Sequence, residues 1–185
     1  MRVVSLLPSA TEIVGALGAA GDLVGVSHEC DHPPEVAGRP VLTSSRLLGT
    51  GASGDLDRSV RELLRAALAI YDLDVERLAG RDVEVVSLHP LRLDDIWADI
   101  RRVAAAIGRR DAGEALVAGL LERLVRLERR AAGAVRPRVV SIEWLDPVML
   151  GGTWMPELIR AAGGDPLGWR RGSGPRPSTG RPRRS

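Results

Sequence analysis

The residues best suited to chemistry crowd into "GVSHECDHPPEV", residues 25–36, where His28, Cys30 and His32 alternate. In an extended segment such positions share one face, so the three side chains could converge on a zinc ion. The rest of a zinc site is missing from the sequence. Cys30 is the single cysteine, and the third histidine, His89, stands before Pro90 at the end of a separate apolar run. The spacing fits no standard zinc motif, and Asp31 with Pro33 and Pro34 marks a turn leaving a strand. The plainer reading is a strand-end loop whose polar groups cap backbone or touch a ligand.

Three other stretches could bind something. "GTGASG", residues 49–54, satisfies G-x-G-x-x-G. A dinucleotide fingerprint needs a strand directly before it and a helix opening under its third glycine. Here Thr43-Ser44-Ser45-Arg46 is poor strand material, and the next helix opens only after Asp55 or Asp57, so the match is weak. Trp144 and Trp154 flank "LDPVMLGGT" on a loop, where they could wall a flat ligand or plug a core. Ser9 follows Pro8 at the C-terminal end of a strand, the edge where open α/β sheets bind ligands and helix-start amides face the crevice. No Ser-His-Asp or Cys-His arrangement has supporting context. These residues argue for binding rather than catalysis.

The elements that position them follow from periodicity. Residues 3–7 are a short apolar strand, and Ser9 with Glu12 reads as a capping box. Ile13, Val14 and Leu17 give the helix after it one apolar stripe, Gly18 and Gly21 end it, and residues 23–26 form a second strand. This β-α-β unit predicts parallel strands with a right-handed crossover. Residues 57–71 read as a helix and 83–88 as another buried strand, expected in the same sheet. A long helical region over 93–132 carries Ile96, Ile100, Val103 and Ile107 on one face and splits near Gly108 and Asp111. Residues 138–142 resume as a strand. "GGTWMPELIRAAGG" is a loop entering a helix, with Pro156 in its first turn and Gly163 at its stop.

Composition sets the limits. The chain has 185 residues and 44% hydrophobic content, with no Phe and one Tyr, so Leu, Val, Ile and Ala must fill the core. Six of the 26 basic residues, all arginines, lie in residues 168–185, which hold no acid; 20 remain against 24 acidic residues. The body is therefore mildly acidic and offers no nucleic-acid face, and the tail's composition predicts disorder. A single cysteine leaves the redox compartment open. The run over residues 3–7 is too short for a secretion signal, and no stretch reaches transmembrane length.

"RVVSLLPSATEIVGALGAAGDLVGVSHECDHPPEV" closely resembles the opening of the cobalamin-type and iron-siderophore-type substrate-binding proteins of ABC importers. "LTSSR" (residues 42–46), "RSVRELL" (58–64), "EVVSLHPLRLDDIWADIRRVAAAIG" and "RPRVVSIEWLDPVMLGGTWMPELIRAAGGDPLG" are similar to later segments, so the resemblance runs with gaps from about Arg2 to Gly168. It implies an α/β fold of two lobes joined by a long linking helix, with the ligand held between them and no catalysis. The lobes would be residues 1–92 (internally shortened) and 137–167 (incomplete), with a linking helical region over 93–136 and the basic tail over 168–185.

The ligand-facing residues the resemblance implies are Pro8, Ser9, Ala10, His28 and Glu29 from the first lobe. Trp144, Met149 and Trp154 would face them from the second. It implies no catalytic residue, metal ligand or resident cofactor. The ligand would be a corrinoid or siderophore-like metal chelate, the partner an ABC permease in the membrane, and the protein a monomer. The family works outside the cytoplasmic membrane, whereas the sequence shows no signal peptide or lipoprotein cysteine, which leaves localisation open. A strand and a helix usual after Leu78 are missing, and the second lobe stops after one strand and one helix. Both departures predict weakened ligand binding. The alternative reading is a small intracellular metal- or nucleotide-dependent α/β enzyme using His28, Cys30, His32 and His89.

Overall fold

A computed structural model of the chain describes residues 1–45, 71–73 and 84–168. The "GTGASG" run, all but the last residue of the helix expected over residues 57–71 and the arginine-rich tail from residue 169 lie outside the described residues.

Strand β1 (Val3–Ser5), helix α1 (Pro8–Ala16) and strand β2 (Leu23–Val26) form the expected β-α-β unit. The two strands run parallel, with Val3 opposite Leu23 and Ser5 opposite Val26. The capping box is not formed. Pro8 takes the first helical position, where a missing amide proton costs nothing, so Leu7 becomes the N-cap and Ser9 falls inside the first turn. Strand β1 accordingly ends two residues sooner than its apolar run.

Val14 of α1 and Leu17, its C-cap, bury their side chains with Leu23 and Val26 of β2 and with Val36. Val103 and Ala104 cover the same cluster from helix α2 (Leu93–Ala106). Helix α3 (Arg110–Ala131) follows after a break at residues 107–109. The break falls where the sequence places it, because Gly108 takes φ +70°, a conformation L-residues avoid. The two helices fold back on one another closely: a Cβ built on Gly113 would sit 2.5 Å from the Ala104 Cβ, so only glycine fits there. Helix α3 is the long connecting element. Its start packs on α2, and Ala131 near its end meets Gly163 of the C-terminal region. Among the described residues, no helix is long and apolar enough to cross a membrane.

Three expectations need correction. Residues 84–90 carry no regular secondary structure, so no described strand joins them to β1 and β2. The apolar in-out alternation survives, since Val86 and Leu88 pack on the core while Val85 is exposed. Burial alone therefore explains the pattern that looked like a sheet strand. Tyr71 is not the end of a helix. It opens strand β4 (Tyr71–Leu73), which pairs antiparallel with β3 (Thr43–Ser45), a segment whose residue types argued against a strand. Tertiary pairing overrides such weak propensity.

The strand expected over residues 138–142 is split. Strand β5 (Arg138–Val139) pairs in parallel with β8 (Asp165–Pro166), whereas β6 (Ile142–Leu145) forms an antiparallel hairpin with β7 (Val148–Leu150). The segment has two different partners, so the chain steps between them at residues 140–141. The stretch between the tryptophans is thus largely a hairpin rather than an open loop. Helix α4 (Met155–Ala161) follows, with Pro156 in its first turn and Gly163 at φ +85° beyond its end, as the sequence predicts.

Candidate functional site

Helix α1 begins at the C-terminal end of β1, and the loop of residues 27–32 leaves the same end of β2. Pro8, Ser9, Ala10, His28 and Glu29 therefore stand at one edge of the parallel pair, the C-terminal end of its strands. Ser9 is exposed, and Pro8 and Ala10 are half-buried. The first amide that closes a helical turn is Thr11, bonding the Leu7 carbonyl at 3.0 Å. The Ser9 and Ala10 amides precede it and have no carbonyl four residues back within the helix.

Side-chain hydroxyls shape the facing loop. Buried Ser27 accepts the Glu29 amide through its Oγ at 3.2 Å and the Cys30 amide through its carbonyl at 3.1 Å. Thr43 Oγ1, at the start of β3, accepts the His28 amide at 3.0 Å and lies 2.7 Å from the His28 Nδ1. It also donates to Ser27 Oγ at 3.2 Å. The His28 ring is thus anchored at the exposed loop surface. Cys30 turns the other way, with its Sγ 3.0 Å from the Thr11 Oγ1 on α1. His28 and Cys30 therefore do not converge, and His32 is exposed beside a cis peptide bond to Pro33. Among the described residues, no group of three His, Cys, Asp or Glu side chains is placed to hold a metal ion. His89 is exposed on the 84–90 segment.

The second set stands on the hairpin. Trp144 and Met149 are cross-strand partners, and both are half-buried. The Trp144 Nε1 donates to the Asp146 carbonyl at 3.0 Å, which fixes the indole over the turn. Trp154 is on another element, as the N-cap of α4, and is also half-buried. Between them the Gly151 amide bonds the Ser141 carbonyl at 2.7 Å, and the Gly152 amide reaches Glu143 Oε1 at 3.3 Å. These bonds tie the tryptophan-bearing segment back onto β6.

Sequence reasoning missed the residues that do the holding. Ser27 and Thr43 flank the loop as ordinary hydroxyl residues without a motif. Glu157 was equally unmarked. Its carboxylate accepts the Leu93 amide at 3.0 Å and pairs with Arg92 Nε at 3.1 Å, so α4 caps the start of α2 from a segment distant in sequence. The one signal available was its place in the first turn after Pro156.

The arrangement of strands and helices has parallels among solved structures. The periplasmic heme-binding protein HutB of Vibrio cholerae superposes with a TM-score of 0.66 at 17% identity, over 96% of this chain and 69% of that one. The periplasmic vitamin B12-binding protein BtuF of Vibrio cholerae gives 0.63 at 19% identity, over 95% and 69%. The fold is that of periplasmic solute-binding proteins. In sequence the chain is 30% identical over 138 residues to a Vitamin B12-binding protein of Pectobacterium carotovorum, covering 71% of this chain and 47% of that protein. The chain spans less than half the length of the curated relatives it matches. No family model matches the sequence.

Proposed function

We propose that the chain is the substrate-binding component of an ABC-type importer and delivers cobalamin or a related metal chelate to a permease in the membrane. Similarity to a Vitamin B12-binding protein across 138 residues, in a chain with the periplasmic-binding fold, is the observation that carries this reading. Residues 1–92 form one lobe and residues 137–167 belong to the other, with the helical region 93–136 between them. The protein acts as a monomer and makes or breaks no bond.

The roles follow from chemistry. Pro8 opens the helix start at which Ser9 and Ala10 present their amides, and His28 and Glu29 add polar side chains for the rim of the ligand. Trp144, Met149 and Trp154 supply broad apolar surface against a flat macrocycle, with modest loss of side-chain entropy at the aromatic positions. Affinity arises because two preformed walls together bury most of the ligand, which lowers the ordering cost of binding.

Titrating the purified chain with cyanocobalamin, followed by visible absorbance and equilibrium dialysis, tests this, with hemin and a ferric siderophore run in parallel. Saturable one-to-one binding of cyanocobalamin supports the reading. Binding of hemin alone keeps the function and changes the chelate. Failure of all three to bind overturns it. In the binding case, Trp144→Ala should weaken affinity about tenfold or more, as the loss of an aromatic anchor does.

A further inference from the structure

Thr11 is fully buried on α1, and its hydroxyl is the centre of a hydrogen-bond chain that joins three segments. Its Oγ1 lies 2.8 Å from Ser5 Oγ at the end of β1, 3.1 Å from the Leu7 carbonyl and 3.0 Å from Cys30 Sγ. Ser5 Oγ, also buried, donates in turn to the Leu7 carbonyl at 3.2 Å. A threonine hydroxyl has one proton, and the Leu7 carbonyl can only accept. If Thr11 donates to Ser5 or to Leu7, the Cys30 thiol must supply its own proton to Thr11. The chain then runs from Cys30 through Thr11 and Ser5 to the Leu7 carbonyl, with every member satisfied.

These contacts join the two halves of the first wall. Leu7 is the N-cap that sets where Pro8, Ser9 and Ala10 stand, and Cys30 follows directly after His28 and Glu29. We propose that Thr11 is a positioning residue: through Cys30 it holds the His28–Glu29 loop against the first turn of α1, so that both face the ligand in one fixed arrangement. The proposal deepens the binding-protein reading and rests on it for its ligand. A hydrophobic helix position would be filled equally well by valine, so the buried hydroxyl marks a polar role rather than a packing one.

The single cysteine makes the test direct. The full chain is labelled at Cys30 with iodoacetamide, without ligand, as wild type, Thr11→Val and Thr11→Ser. Amide exchange is read over residues 27–32 and, for comparison, over α2 and α3. Thr11→Val should speed labelling and local exchange about fivefold, the population change expected from losing one net hydrogen bond. Thr11→Ser, which keeps the hydroxyl, should restore both. Cyanocobalamin affinity should fall by a similar factor in Thr11→Val and return in Thr11→Ser. Unchanged labelling, no rescue by serine, or faster exchange spread equally through α2 and α3 would overturn the proposal. Should Thr11→Val fail to fold, Cys30→Ala takes its place, read by exchange over residues 27–32, with Cys30→Ser as the rescue. If the wild type binds neither cyanocobalamin nor hemin, the binding-protein reading fails, and the ligand-free measurements still decide the role of Thr11.

Discussion

Leu23 on β2 is fully buried beneath α1 and α2, whereas Leu145 on β6 is 69% exposed. The same contrast holds across the two regions that carry the candidate site. The first set of residues stands on a packed platform: β2 shows a nearly continuous buried face, and Val14, Leu17, Val36, Val103 and Ala104 close over it. The second stands on a hairpin whose Ile142, Leu145 and Val148 are exposed, held by polar contacts at Gly151, Gly152 and Glu157. Apolar burial fixes the platform under the first set, whose loop is then held by hydroxyl hydrogen bonds, whereas directional bonds carry most of the support of the second. Two regions built this way differ in how they respond to mutation, pH and salt.

The strongest way to break the comparison is to remove apolar volume from each side. Leu23→Ala leaves a cavity in a site with no room to relax and should cost about 2–5 kcal/mol. Leu145→Ala loses little burial and should fall within about 0.5 kcal/mol of wild type. Denaturant melts of the two variants check this. A comparable loss from both would mean that the hairpin is packed against something the exposure of Leu145 conceals.

How much was legible in the sequence divides along the same line. The β-α-β unit, the break at Gly108, the Pro156 helix start and the Gly163 stop could all be read, because each depends on local chemistry: an apolar run, a residue lacking an amide proton, a positive φ. The strand assigned to residues 83–88 failed because its alternation reports burial of Val86 and Leu88, which a strand and an irregular segment can produce alike. Strands β3 and β4 were invisible because Thr43–Ser45 and Tyr71–Leu73 are held by each other and not by their own propensities. In the site, the edge positions of Ser9 and His28 could be placed from strand ends alone. The anchoring roles of Thr11, Ser27 and Thr43 could not, since a hydroxyl's partner is set by packing between segments distant in sequence.

Glu157 offers a second, smaller test, aimed at the polar side of the contrast. Its carboxylate caps the Leu93 amide and pairs with Arg92, joining the hairpin region to the helical pair. Glu157→Gln keeps the shape and removes the charge-assisted bonds, so it should lower stability by about 1–2 kcal/mol. The loss should shrink in concentrated salt, whereas the Leu23→Ala loss should not. Equal salt sensitivity of the two variants would contradict the division between apolar and directional support.

The smallest effect concerns the helical pair that lies between the two regions. Arg101 Nε on α2 holds both oxygens of Glu114 on α3, at 2.8 Å and 3.0 Å. That hydrogen bond lowers the Glu114 carboxyl below its ordinary value, against a weaker opposing push from desolvation, and it raises Arg101. Because the folded state holds the carboxylate in its charged form, the bridge stabilises above the ordinary glutamate range. Its contribution disappears as pH falls through that range and past the lowered folded value. Both side chains are well exposed, so solvent screening keeps the contribution small. Thermal melts of wild type and Glu114→Gln should therefore differ slightly at about pH 7 and converge only as the pH falls below the usual carboxylate range and past the lowered value of folded Glu114. The difference at neutral pH should also vanish in about 1 M salt, where the screening length is only about 3 Å. A gap that widened toward low pH would reverse the sign and show that protonated Glu114, not the ion pair, is the stabilising form. A gap that survived high salt would mean that the helical pair is joined here by packing, and that the connection between the two regions belongs with the apolar platform.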